Sequence, residues 1–164
     1  MHITPDRIEK TIVLHSSLSR VWRALSDSRE FGKWFGVKFD APFVPGVFVR
    51  GVVVGTAVDA EVAKAQQGYK GLPFEITIEA MERERLFSFR WHPFAVDIKV
   101  DYSNEPTTLV EFKLETVSEG VLLTITESGF DKIPLERRAQ AFTSNEQGWA
   151  MMGKVIEEYL AQTP

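Results

Sequence analysis

Leu135 to Ala161, LERRAQAFTSNEQGWAMMGKVIEEYLA, is the stretch that dictates how the rest of the chain must be arranged. At about 100° per residue, Leu135, Phe142, Trp149, Met152, Ile156 and Leu160 fall on one side of a helix, and Gln140, Gln147, Lys154 and Glu158 on the other. A helix of roughly 27 residues is about 40 Å long. One hairpin cannot cover an apolar stripe of that length, so the helix needs a broad sheet beneath it.

The residues upstream supply one. Ile8, Ile12 and Leu14 alternate with more polar neighbours as a half-buried strand does. Ser16 or Ser17 offers an N-cap for a short helix reaching Asp27, and a second helix is expected over Ser28 to Phe35 with Gly36 as its stop. Val37 to Phe39 and Val47 to Gly55 favour extended structure, with Pro45-Gly46 as the turn between them. Asp59 to Gln67 has weak helical character, and residues 57 to 72 form a connection long enough to serve as a lid.

Phe74, Ile76 and Ile78, then Phe87, Phe89 and Trp91, alternate with polar residues on either side of a charged turn at Glu82 to Arg85, which predicts a hairpin. Pro93 must interrupt its second strand, with Val96, Ile98 and Val100 continuing it weakly. Val110, Phe112 and Leu114 form the next strand. After Ser118-Glu119-Gly120, Val121, Leu123 and Ile125 form the last. Period two then places Glu127 on the face of Leu123 and Ile125, carrying a carboxylate toward an apolar interior. The expectation is an α+β fold: a curved antiparallel sheet of about six or seven strands, two short helices after the first strand, and the long C-terminal helix laid across it.

Composition narrows the class. The 164 residues, 44% hydrophobic, are expected to form a single domain over residues 1–164. Net charge −4 gives no electrostatic reason for a nucleic-acid partner or for an anionic membrane. The absence of cysteine suits a reducing compartment. The start, Met1-His2-Ile3-Thr4-Pro5-Asp6, has no secretory pattern and no apolar run is long enough to insert into a membrane, so a cytoplasmic location is expected.

Recognised chemical motifs are few. Gly148 to Lys154 fits G-x4-G-K, but Val155 follows instead of Ser or Thr and the segment lies inside a helix, which removes the nucleotide reading. Gly148 and Gly153 each cost about 1 kcal/mol in a helix interior, a cost that close approach of a strand or a bulky ligand explains. His2, His15 and His92 are isolated from one another, so neither a metal nor any other cofactor is expected. What remains are polar side chains on apolar faces: Glu127, with Arg138 and Asn145 on the stripe side of the long helix. Such groups are either satisfied internally or are the polar anchors of an apolar pocket. Burial raises the pKa of Glu127, and a close Arg138 lowers it.

Several strings carry a resemblance: Val21-Trp22-Arg23-Ala24-Leu25-Ser26-Asp27, Trp34-Phe35-Gly36, Phe89-Arg90-Trp91-His92-Pro93, Thr108-Leu109-Val110-Glu111-Phe112, Glu127-Ser128-Gly129-Phe130 and Asn145-Glu146-Gln147-Gly148-Trp149. They resemble the bacterial branch of the activator of heat-shock protein 90 ATPase homologue-like family, within the START and birch-pollen-allergen-like (SRPBCC) superfamily. The resemblance implies a helix-grip fold with a cavity between sheet and helix. With the first strand expected near Ile8, no separate chaperone-binding domain of the kind the eukaryotic namesake carries is expected ahead of it.

The leading expectation is a non-enzymatic binder of a small, largely apolar molecule, acting as a monomer or homodimer. Its walls are Phe89, Trp91, Phe112, Phe142 and Trp149, its polar anchors Glu127, Arg138 and Asn145, and its gate residues 57 to 72. The alternatives are an interaction protein whose partner is a chaperone, and a cyclase- or hydrolase-like enzyme using Glu127 or His92.

Overall fold

The computed structural model describes residues 6–164, so His2 lies outside the described residues. Its elements follow the expected order: β1 (Arg7–Leu14), α1 (Leu18–Ser26), α2 (Ser28–Phe35), β2 (Val37–Phe39), β3 (Phe48–Val53), α3 (Ala60–Gln66), β4 (Pro73–Glu82), β5 (Leu86–Trp91), β6 (Thr108–Val117), β7 (Gly120–Ser128) and α4 (Leu135–Gln162). Short 3-10 turns lie at Gln67–Tyr69 and Phe130–Lys132. The strands form one seven-stranded antiparallel sheet in the order β1-β7-β6-β5-β4-β3-β2. This is the helix-grip architecture.

Local chemistry sets the helix ends. Ser17 accepts from the Arg20 amide to start α1, and Asp27 accepts from the Arg29 and Glu30 amides to start α2. Gly36, at φ 92°, ends α2 in the left-handed conformation. Both helices press onto the sheet through Leu25, Phe31 and Trp34, none of which is exposed. The Phe31 ring lies within 6.0 Å of those of Phe43, Phe87 and Phe112, an aromatic block that closes one part of the interior.

The long helix is held at both ends. Toward its C-terminus the Tyr159 hydroxyl donates to Glu30 at 2.8 Å, and Glu30 also pairs with Arg20 and Arg23 at 2.8 and 2.7 Å. Toward its N-terminus Arg137 donates to the Pro93 carbonyl and pairs with Glu105, each at 2.8 Å, fastening the connection between β5 and β6. The buried face is Ala141, Phe142, Trp149, Met152, Val155, Ile156 and Tyr159. Leu135, expected on that face, is 75% exposed: it is the first helical residue, and burial along α4 begins only at Ala141.

Two further expectations are corrected. Val96, Ile98 and Val100 form no strand; Pro93 lacks an amide donor, and Phe94 at φ 51° turns the chain away. Nor does close approach explain both helix glycines. A Cβ at Gly153 would meet Ile12 of β1 at 3.9 Å, an ordinary contact, while one at Gly148 would meet nothing within 4 Å. Gly148→Ala is therefore expected to raise stability by about 0.5–1 kcal/mol, the helix-propensity difference. Urea unfolding of the two proteins measures it; a loss would mean that something approaches Gly148 in solution.

Candidate functional site

Glu127 does face inward. Period two along β7 carries Val121, Leu123, Ile125 and Glu127 to the concave face, and Glu127 is fully buried opposite Val110 of β6 and Ile8 of β1. Its carboxylate receives donors from three other elements. Oε1 accepts from Trp149 Nε1 at 2.8 Å and Asn145 Nδ2 at 2.9 Å. Oε2 accepts from Trp91 Nε1 at 2.8 Å, Thr108 Oγ1 at 2.5 Å and Asn145 Nδ2 at 3.1 Å.

Every one of these donors is uncharged. Arg138, expected beside the carboxylate, instead donates to the carbonyls of Ile133 and Asp131 at the 3-10 turn before α4. Burial therefore dominates and pushes the Glu127 pKa up, opposed by the hydrogen bonds from Thr108, Trp149, Trp91 and Asn145. The group works as a knot. It joins β5, β6 and β7 to α4, and an indole N–H on each oxygen fixes the plane of the carboxylate.

The other expected walls divide. The Trp91 and Trp149 rings lie 5.7 Å apart, with Phe89 5.3 Å from Trp91 and Phe112 5.6 Å from Trp149. These four rings and the carboxylate are one assembly. Phe142 is not part of it; its ring packs on Phe130 at 5.1 Å.

Under the middle of α4 the interior is filled by these aromatics. Open volume appears beside them, as a groove of about 650 Å3 bounded by the end of α2, by β3, β4 and β5, and by the connection that follows β5. Phe35, Phe74 and Trp91 are among its aromatic lining residues, and Asn145 is the α4 residue that reaches it. Of the eight expected site residues, Trp91 and Asn145 line the groove, while Glu127 lies one layer behind them.

Residues 57 to 72 contribute Gln66, Tyr69 and Leu72 to one wall. That wall is fastened: the Gln66 amide donates to the Phe35 carbonyl at 2.9 Å and accepts from the Thr56 amide at 2.8 Å. His92 Nε2 lies 3.1 Å from the Glu105 carbonyl oxygen. Among the described residues no three His, Asp or Glu side chains are placed to share a metal ion, and no helix is long and apolar enough to cross a membrane.

Sequence reasoning overlooked Thr108, Phe35 and Phe74 as site residues. Thr108 was within reach, since period two backward from Val110 puts it on the concave face. Phe74 was likewise on the alternating face of β4, whereas Phe35, at the end of α2, carries no such signal, because the groove brings together segments distant in sequence.

The family model for "Activator of Hsp90 ATPase homolog 1-like protein" matches residues 15–161. The chain belongs to this family. Its match spans everything from the end of β1 to the last turns of α4, including all five members of the Glu127 knot. No curated protein matches the sequence significantly.

Solved structures share the fold at low identity. Protein MLL2253 from Mesorhizobium loti superposes with a TM-score of 0.69 at 18% identity, covering 96% of this chain and 98% of that one. A solution structure of the Aha1 dimer from Colwellia psychrerythraea gives 0.64 at 14% identity, covering 94% and 95%. DynU16, from the dynemicin biosynthetic locus, gives 0.67 at 22% identity over 96% of this chain, which spans 48% of the length of DynU16.

Proposed function

We propose that this family member binds a small, largely apolar molecule in the groove between α2, β3 to β5 and Asn145 of α4, without transforming it. The observation that carries the reading is the groove itself. Its volume of about 650 Å3 falls inside the usual range of roughly 300–1,000 Å3 for small-molecule sites, and most of its exposed lining surface is apolar. A protein that acted only through its outer surface would have no need to leave this space open beside so dense an aromatic cluster. The family's description favours a chaperone as alternative partner, and Val52 of β3, 45% exposed and outside the groove lining, offers such a partner apolar contact.

Trp91 lines the groove, so occupancy should alter tryptophan emission. Titration with lipids, sterols and flavonoids is expected to give a saturable change for at least one class. Phe74→Ala, which removes a ring 5.4 Å from Phe35 and 5.6 Å from Trp91, is expected to weaken that binding about ten-fold. A flat response across the whole panel would sink the reading.

A further inference from the structure

The orientation of a single amide limits what the groove can accept. Asn145 Nδ2 donates to both oxygens of Glu127, so Oδ1 of the same amide is directed away from the carboxylate. Among the described residues no donor reaches Oδ1, and Asn145 is half-buried on the lining of the groove. Turning the amide over would set Oδ1 against two carboxylate oxygens, acceptor against acceptor.

Protonation of Glu127 would not release it. Each carboxylate oxygen already accepts from an indole N–H, which can only donate. Thr108 Oγ1 can change from donor to acceptor by rotating its hydroxyl alone, whereas Asn145 could accept only by turning its amide over and setting Oδ1 against the other, unprotonated oxygen, so an acid proton would sit on Oε2 and point at Thr108. Asn145 remains a donor to Glu127 in both charge states, and the groove sees its carbonyl in both.

The charged groups along the groove agree. Glu75, Asp97 and Asp101 contribute negative charge, and the Arg90 guanidinium is engaged by Glu79 at 3.3 Å. His92 also lines the groove, with Nε2 3.1 Å from the Glu105 carbonyl oxygen, so three acidic side chains stand against one paired guanidinium and one imidazole. Building on the binding role proposed above, we infer that the ligand is an uncharged, largely apolar ring compound whose buried end carries a hydroxyl, donated to Asn145 Oδ1. Carboxylates such as fatty acids are disfavoured, since they bring an acceptor to an acceptor and a negative charge toward Glu127.

The test uses one hydrocarbon frame with three heads: 9-phenanthrol, its methyl ether, and phenanthrene-9-carboxylate at pH 7, titrated into the full chain by calorimetry. The phenol is expected to bind about ten-fold more tightly than the ether, the difference of one hydrogen bond, and the carboxylate weakest. Asn145→Leu should erase the preference for phenol over ether. If that variant does not fold, the three-ligand comparison on the wild type decides alone. Equal binding of phenol and ether, or tightest binding of the carboxylate, overturns the donor assignment and leaves the binding role standing. Binding of none of the three, with no response to the lipid, sterol and flavonoid panel, overturns both.

Discussion

Glu127→Gln is expected to cost about 2–3 kcal/mol of folding stability, although it replaces one oxygen by a nitrogen of nearly the same size. Trp91 and Trp149 each present an indole N–H at 2.8 Å, one to each carboxylate oxygen. A glutamine must place its own NH2 toward one of them. The favourable choice puts it at the Oε2 position, where Thr108 can turn to accept it, but the Trp91 indole then faces a donor. A buried donor left without a partner costs about 1–3 kcal/mol.

The pH dependence of that cost has a definite sign. Burial raises the Glu127 pKa in the folded state above its ordinary 4.5, so folding takes up a proton between the two values. The stability this group contributes is complete below the ordinary value and declines as pH rises through the folded one. The wild type's advantage over Glu127→Gln is therefore expected to be largest in acid and to shrink toward neutrality. Urea unfolding of both proteins at several pH values measures it, and the contributions of other groups cancel in the difference. Overlapping curves at every pH would show that the four donors do not depend on the carboxylate.

Gly32→Ala is expected to lose about 2–3 kcal/mol, reversing the gain that alanine brings to most helix interiors. A Cβ at this position would stand 2.2 Å from the Val37 carbonyl oxygen. That oxygen belongs to the backbone of β2, so it cannot rotate aside as a side chain does. To make room, α2 would have to lift off β2, taking Phe31 and Trp34 with it. The same substitution thus has opposite signs at Gly32 and Gly148, and one unfolding assay reads both. A stabilised Gly32→Ala would mean that the α2 to β2 junction is looser than its geometry implies.

These effects show which parts of the molecule could be read from sequence. Alternation located the concave face well enough to turn Glu127 inward, and a terminal glycine marked the end of α2 at Phe35. Both signals are local. Periodicity also put Arg138 and Asn145 on one side of α4, but a helix face does not reveal which partner a long side chain finds. Asn145 reaches Glu127, while Arg138 folds back to free carbonyls at the start of its own helix and neighbouring Arg137 takes up Glu105. Apparent alternation at Val96, Ile98 and Val100 misled because Ile98, 76% exposed, has no strand to pair with. Of the groove, Trp91, Asn145 and part of the 57–72 segment were anticipated, but its full outline was not, since its walls meet only after the sheet has formed.

Strands β2 to β7 occupy the sheet in the order in which the chain produces them, and β1 alone is out of sequence, at the far edge with Arg7 opposite Ser128. Pairing each strand with the next closes loops of under about 20 residues at small entropic expense, whereas seating β1 closes a loop of about two-thirds of the chain, from Leu14 to Val121. A kinetic order follows, with the meander early and the outermost strand late. Ile8 of that strand lies against Glu127, and Asn145 and Trp149 arrive only with the last helix. The acid group thus keeps its hydration until the chain's two terminal elements come together over it, so that dehydration of one side chain and completion of the tertiary structure are the same event.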